Sequence, residues 1–448
     1  MDKISNDPEP LAVPASRIAR LGRLSSMTAG VAGSMAINGI AQLGQGQRPT
    51  MRDLLLTPQN VTRIADQLAK MRGAAMKIGQ LVSMDTGDVL PPELAQIMAR
   101  LRADAHFMPP AQLKQVLNTQ WPTGWIKAFK AFDVRPIAAA SIGQVHRAQL
   151  KDGRDLAIKV QYPGVARSID SDVANVGALM RMSGLLPKGF ELAPYLEEAR
   201  KQLHEETDYV REGEQLTRFG DLLDGEPAFV VPEMHSDWST PDILAMTHVA
   251  GTPIENAITE AQEIRNDIAR RLIELTLKEL FVFGEMQTDP NFANYLFNPD
   301  TRQIVLLDFG AARKIDPVIA DQYKTLMRAG LADDVHALGQ LAEEIGFVGP
   351  DTVERHRVQV VDMIRLAFRI LREVPLAQFN TTDMSRQIQV QGMALAEDGF
   401  VPPPLPIDVL LLQRKFGGIF LLASRLKAQA DVPALLRRYV EPDTNNVP

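Results

Sequence analysis

The chain has no cysteine in its 448 residues. Disulfides, thiolate metal sites and cysteine nucleophiles are therefore excluded, and a reducing compartment fits. A long uncharged apolar run is also missing. The most apolar late stretch, residues 408–426 (DVLLLQRKFGGIFLLASRL), carries Arg414, Lys415 and Arg425. Each charge at mid-bilayer costs about 2.5–3.5 kcal/mol on insertion scales, so this stretch reads as a buried helix of a soluble lobe rather than a membrane span. There is no excess of base: the net charge is −7, which argues against nucleic acid as a partner. The start, MDKISNDPEP, has neither the apolar core of a secretory signal nor the arginines of a transit peptide. A Walker A sequence is absent, which sets aside a P-loop NTPase. The seven histidines show no H-E-x-x-H or paired spacing and read as structural, His146 being the one to watch.

What remains is ordinary globular usage, 45% hydrophobic and 23% charged, in a length that suits two to three units or one large two-lobed domain with an extension. Residues 1–50 form an arm poor in aromatics. Arg17, Arg20 and Arg23 share one helix face beside Ile18, Leu21 and Leu24, which suggests either a flexible arm or a segment that rests on an anionic membrane surface or pairs with another helix. Residues 51–125 read as a helical extension broken at Pro91-Pro92 and Pro109-Pro110. Residues 126–250 hold β-type runs at 128–134, 141–150, 154–162, 228–234 and 242–249, with one long helix over 191–219. Lys151-Asp152-Gly153-Arg154 joins two of these runs as a hairpin. Residues 251–448 are mainly helical. A β-rich half followed by a helical half is an α+β, two-lobed pattern.

The chemistry concentrates in residues 287–313, QTDPNFANYLFNPDTRQIVLLDFGAAR. Two short β-type runs, 295–297 and 303–307, flank the turn signal Asn298-Pro299-Asp300-Thr301. A hairpin here would make neighbours of Asn294 and Asp308, with Asp289 five residues before Asn294. Carboxylate and amide oxygens suit Mg²⁺, which binds through one or two carboxylates plus substrate phosphates. Asp308-Phe309-Gly310 alone is a weak signal. The spacing D-x₄-N, hairpin, D-F-G is specific, and it is the catalytic and metal-binding run of protein kinases. That run demands a strand lysine for the α/β-phosphates, and Lys159 in Leu156-Ala157-Ile158-Lys159 supplies it. It also demands a helical glutamate to orient the lysine. On a continuous helix over 191–219, Glu206 falls on the stripe of Leu192, Leu196, Ala199, Leu203 and Val210, so Glu206 is the expected partner. The G-x-G-x-x-G loop of ordinary kinases is missing. Its place reads Ala138-Ala139-Ala140-Ser141-Ile142-Gly143-Gln144, small side chains without glycine's freedom at positive φ.

With these residues in view, the chain resembles the UbiB family of atypical kinases, also called AarF or ADCK, over roughly residues 60–440. The alanine-rich loop, Lys77-Ile78-Gly79-Gln80 (K-x-G-Q), Glu206-Thr207-Asp208 (E-x-D), Gln287-Thr288-Asp289-Pro290 and Asp308-Phe309-Gly310 carry the likeness. The resemblance implies a two-lobed protein-kinase-like fold that binds ATP and Mg²⁺. Ala138, Ala139, Ala140, Ser141, Lys159 and Glu206 would hold the nucleotide, and Asn294 and Asp308 the metal. Asp289 would position or deprotonate the acceptor. Lys77 and Gln80, reaching toward Glu206 and Asp208, would occlude the place where a protein kinase binds peptide. The implied function is an atypical kinase or ATPase in isoprenoid-quinone (ubiquinone) biosynthesis, acting at a membrane on a small lipid or quinone precursor rather than on proteins. The alternative is a nucleotide-gated, non-catalytic scaffold for a lipid-modifying complex. A homodimer or quinone-biosynthesis enzymes are the implied protein partners. The implied location is the bacterial cytoplasm, or alternatively the mitochondrial matrix, in peripheral contact with the membrane.

Overall fold

The computed structural model describes residues 71–85, 107–140, 142–183, 192–373, 377–378 and 384–441. The arm with Arg17, Arg20 and Arg23, the break at Pro91-Pro92 and Ser141 lie outside them. The chain divides into two units, Met1–Glu214 with Glu233–His248, and Gln215–Pro232 with Val249–Pro448.

The first unit begins with α1 (Arg72–Asp85) and α2 (Pro110–Gln120). The second of these starts on a proline, whose fixed φ suits a first helical position and whose missing N–H is no loss there. Its sheet is five-stranded: β1 (Phe129–Phe132), β2 (Ala138–Ala139), β3 (Gly143–Leu150), β4 (Asp155–Gln161) and, after β5 (Phe229–Val230) has joined the other unit, β6 (Ile243–Thr247). All pairings are antiparallel, in the order β1-β3-β4-β6, with β2 also on β3. The expected hairpin joins β3 to β4. Gly153 takes φ 101°, and the Arg154 N–H donates to Asp152 Oδ1 at 3.0 Å.

Strand alternation splits β4 between two buried faces. Leu156, Ile158 and Val160 join a core with Leu113, Leu117, Trp121 and Phe129. The sequence's three tryptophans gather at that core, Trp121 lying 5.0 Å from Trp125 and 5.1 Å from Trp238, ring centroid to ring centroid. Ala157, Lys159 and Gln161 alternate to the other face, which is therefore where a chemically active lysine is placed.

Four details differ from the sequence reading. The helix expected over 191–219 is two helices, α4 (Ala193–Glu206) and α5 (Tyr209–Leu222). The run 228–234 contributes only β5, which pairs in parallel with a strand of the second unit. The fifth strand of the first sheet is instead β2, from the alanine-rich segment. A helix not anticipated, α3 (Val165–Ser183), packs against α1 and α4.

In the second unit β7 (Thr252–Pro253), β9 (Tyr295–Asn298) and β10 (Gln303–Leu306) complete a four-stranded sheet with β5, and β8 (Glu285–Gln287) pairs with β11 (Ala312–Lys314). Helices α6 (Gln262–Lys278), α7 (Pro317–Ala332), α8 (Val335–Ile345), α9 (Glu354–Glu373), α10 (Met384–Glu397), α11 (Ile407–Arg425) and α12 (Val432–Val440) make the rest. The α+β pattern expected from the sequence is present, a β-rich unit and a mainly helical one. Helix α11 is the apolar 408–426 stretch, and it packs on α6. Among the described residues no helix is long and apolar enough to cross a membrane.

The charges on α11 have partners. Lys415, 2% exposed, lies with its Nζ 3.2 Å from Glu279, itself 2% exposed, and donates to the Tyr295 hydroxyl at 3.2 Å. Burial alone would lower the pKa of this ammonium, but Glu279 and Tyr295 outweigh it and hold it above the ordinary lysine value. Removing one member of a buried ion pair strands the other charge. We expect Lys415→Met to cost about 3–5 kcal/mol in urea unfolding, and Lys415→Met with Glu279→Leu to recover most of it. A single variant as stable as the parent would show that the pair is not sustaining this core.

Candidate functional site

The alanine-rich segment forms the β2–β3 turn of the first unit. The backbone ladder pairs Ala138 with Val145 and Ala139 with Gln144. The Ala140 N–H donates to the Gly143 carbonyl at 2.8 Å. Ala138 and Ala139 are exposed and Ala140 is half-buried. A Cβ on Gly143 would fall 2.5 Å from the Val160 carbonyl oxygen, so glycine is required there by space. One residue on, Gln144 is buried and accepts the Met108 N–H at 2.8 Å. Its other end lies 2.8 Å from His146 Nε2, while His146 Nδ1 lies 2.8 Å from the Asp133 carbonyl. Burial pushes the His146 imidazole below the usual histidine range, and a neutral ring with two hydrogen-bond partners is a structural one.

Lys159 is buried on β4. Its Nζ donates to Glu212 Oε1 at 2.6 Å, and Glu212 is 2% exposed. The expected pairing with Glu206 is thus corrected. Glu206, at the last turn of α4, forms an ion pair with Lys77 of α1. The physical reason is the break between α4 and α5. Asp208 accepts the Arg211 N–H at 3.0 Å in the manner of an N-cap, so the phase of the stripe is reset. On the new helix Tyr209, Glu212, Leu216 and Phe219 are buried, whereas Val210, which belonged to the expected stripe, is 48% exposed. An Asp followed by Tyr, Glu, Leu and Phe at helical spacing was the signal that would have found Glu212. Lys77 is buried, and Gln80 lies on the same helix, α1.

In the second unit two ladders frame the acidic residues. The β9–β10 hairpin pairs Tyr295 with Leu306. Its turn is held by Asn298 Oδ1, which accepts the Asp300 N–H at 3.0 Å. Beyond the ladder the Leu307 N–H donates to the Asn294 carbonyl at 3.0 Å, which sets Asp308 beside Asn294 along the chain's return. The β8–β11 ladder pairs Gln287 with Ala312 and brings Thr288, which donates to the Ala311 carbonyl at 2.9 Å, alongside the residues after Asp308. Asn294 Nδ2 donates to the Asp289 carbonyl at 3.2 Å. Asp308 Oδ1 accepts the Gly310 N–H at 2.9 Å. Phe309 is buried against Phe219, ring centroids 4.7 Å apart.

Helix α11 contributes what the sequence reading passed over. Arg414 Nη2 donates to Asp289 Oδ1. Next to it Lys415 also reaches Gln287 Oε1, at 3.5 Å. A Cβ on Gly418 would fall 2.4 Å from Pro290, so glycine lets the residues around Asp289 lie directly on this helix. Arg414 and Lys415 served in the sequence only to argue against a membrane span; their partners are remote in sequence, and no local pattern names them.

The ABC1 atypical kinase-like domain matches residues 100–342. The atypical kinase COQ8, mitochondrial, of Saccharomyces cerevisiae is 37% identical over 428 residues, covering 95% of this chain and 85% of that protein. The atypical kinase COQ8B, mitochondrial, of Danio rerio is 35% identical, over 93% of this chain and 67% of that protein. A solved structure, the Rv3197–erythromycin complex from Mycobacterium tuberculosis, shares the fold at a TM-score of 0.60 and 24% identity, covering 86% of this chain and 97% of that one. By domain and by length of match, the chain belongs to the UbiB/AarF/ADCK family of atypical kinases and is a phosphotransferase of that class.

Proposed function

We propose that this chain binds Mg-ATP and transfers its terminal phosphoryl group to water or to a hydroxylated lipid precursor, in or regulating isoprenoid-quinone biosynthesis at a membrane. The observation that carries the reading is the buried Lys159–Glu212 pair. A lysine is kept out of water on a strand, paired with the Glu212 carboxylate, in the place the kinase pattern reserves for phosphate binding.

The residues fit the group. Asn294 and Asp308 offer the hard oxygen donors that Mg²⁺ prefers, and the hydrogen bond from Asn294 Nδ2 turns its oxygen outward from Asp289. When bound, the nucleotide supplies the phosphoryl group and the ion neutralises charge as it develops. Lys159 binds phosphate oxygens, and Glu212 keeps the ammonium in one place. The alanine-rich turn presents backbone with small side chains for close approach. Asp289 orients the acceptor hydroxyl and takes its proton, while the Arg414 guanidinium holds the carboxylate in one orientation. Lys77, tied to Glu206, holds α1 against α4 and thereby disfavours a protein substrate.

The link to quinone precursors rests on the family resemblance, supported by relatives named COQ8 atypical kinases of mitochondria. Location in a bacterial cytoplasm or a mitochondrial matrix, peripheral to the membrane, accords with the same resemblance. The basic face of Arg17, Arg20 and Arg23 would serve the membrane contact. The full chain should co-sediment with anionic vesicles, each basic residue near the surface adding about 1 kcal/mol, and should lose this on removal of residues 1–50. Sedimentation unchanged by the deletion would leave the arm without that role.

The nucleotide assignment is tested by Asp308→Asn. At a concentration about 100 times Kd, a ligand stabilises the folded state by about 2.7 kcal/mol, and the variant should lose most of that shift with Mg-ATP while its ligand-free melting stays near the parent's. A variant stabilised like the parent would overturn the metal assignment. ATP turnover, measured with anionic vesicles and phenolic quinone precursors, separates the enzyme from the scaffold: binding without turnover would favour the scaffold.

A further inference from the structure

We propose that Tyr209 is a positioning residue for Lys159, and that its ring, together with Glu212, fixes the ammonium for phosphate binding. The inference rests on the nucleotide reading above and adds a residue that no motif contributes. Asp208 caps α5, so Tyr209 and Glu212, three apart, share one face of its first turn. The Glu212 carboxylate meets Lys159 Nζ at 2.6 Å. The Tyr209 ring lies under the same nitrogen, 5.2 Å from centroid to Nζ, a cation–π distance. One helix turn thus approaches the ammonium with a charge and with an aromatic face.

The other end of the ring reaches the alanine-rich turn. A Cβ on Gly143 would meet the Tyr209 hydroxyl oxygen at 2.9 Å as well as the Val160 carbonyl. Tyr209 is 1% exposed, wedged between the residue that closes that turn and the lysine next to Val160. The start of α5 is in turn tied to β4, because Gln161 Nε2 donates to the Thr207 carbonyl at 2.6 Å. That carbonyl is one residue past Glu206, the partner of Lys77. The segment 206–212 therefore carries, in order, the extension's ion pair, a tie to the lysine's own strand, the helix cap, the ring and the lysine's carboxylate. Within it, Tyr209 is the group placed to set the ammonium's position relative to the turn that would cover phosphates.

The test uses the full chain and calorimetric affinities for Mg-ATP and for adenosine, which lacks phosphates. Tyr209→Leu should weaken Mg-ATP by about thirtyfold, the size of a desolvated cation–π contact, and leave adenosine within about twofold. Tyr209→Phe should recover most of the loss. Phenylalanines bearing one, two or three ring fluorines at this position keep the shape and drain the face of negative potential, so Mg-ATP affinity should fall stepwise along the series. A flat fluorine series, or equal losses for ATP and adenosine in Tyr209→Leu, would overturn the proposal, and the fluorine series decides it even where the leucine variant does not fold. Lys159→Met separates the two readings. If it leaves Mg-ATP affinity unchanged, the phosphate assignment fails; if it weakens ATP while the Tyr209 series does nothing, the positioning role alone fails.

Discussion

An ammonium taken out of water on strand β4 has to be met by a carboxylate, since an unpaired buried charge is too costly to keep. Much of the first unit follows from meeting that demand at Lys159. The strand must be central in its sheet, with one face given to the core of Leu156, Ile158 and Val160 and the other left for Lys159. A helix must begin close by so that Glu212 arrives on a buried stripe, and Asp208 is the cap that starts it. The previous helix then ends at Glu206, whose charge is available to the extension and is taken by Lys77. The two lysine–glutamate pairs sit at either end of one seven-residue segment, and exchanging their partners would require the helix break to vanish.

The second unit solves a similar problem with different elements. Asp289, Asn294 and Asp308 are brought into order by two short ladders, β8–β11 and β9–β10, and the backbone hydrogen bonds of those ladders fix the spacing more than any side chain does. Beneath them α11 supplies a cation for Asp289, a second cation for Glu279, and a glycine where Pro290 presses against it. An apolar helix bearing charges is costly unless each has a partner, and here Arg414 is met by Asp289, Lys415 by Glu279 and Tyr295, and Arg425 by Glu255.

These features differ in how far they could be read from residues alone. The β9–β10 hairpin was legible because turn chemistry at Asn298-Pro299-Asp300-Thr301 is local, and the β3–β4 hairpin because Gly153 is needed at positive φ. The α+β division followed from where strand-type runs stop. Periodicity carried across Thr207-Asp208 as though the helix continued puts Glu206 on the stripe and Glu212 off it; a cap overrides a stripe, and one break shifts every later residue to a new face. The run 228–234 is apolar enough for either sheet, and only tertiary pairing assigned β5 to the second unit. Arg414 and Lys415 were visible as oddities of an apolar helix, but their partners lie more than a hundred residues away.

We propose that Lys159, paired with Glu212, is the group through which this kinase binds its nucleotide. A double-mutant cycle in Mg-ATP affinity tests it most directly, because residues acting as one unit give strongly non-additive effects. Lys159→Met and Glu212→Gln should each weaken binding, and the double variant should be no weaker than Lys159→Met alone. The same cycle run with Glu206→Gln should be additive. Additivity between Lys159 and Glu212, or coupling that appears with Glu206 instead, would contradict the account.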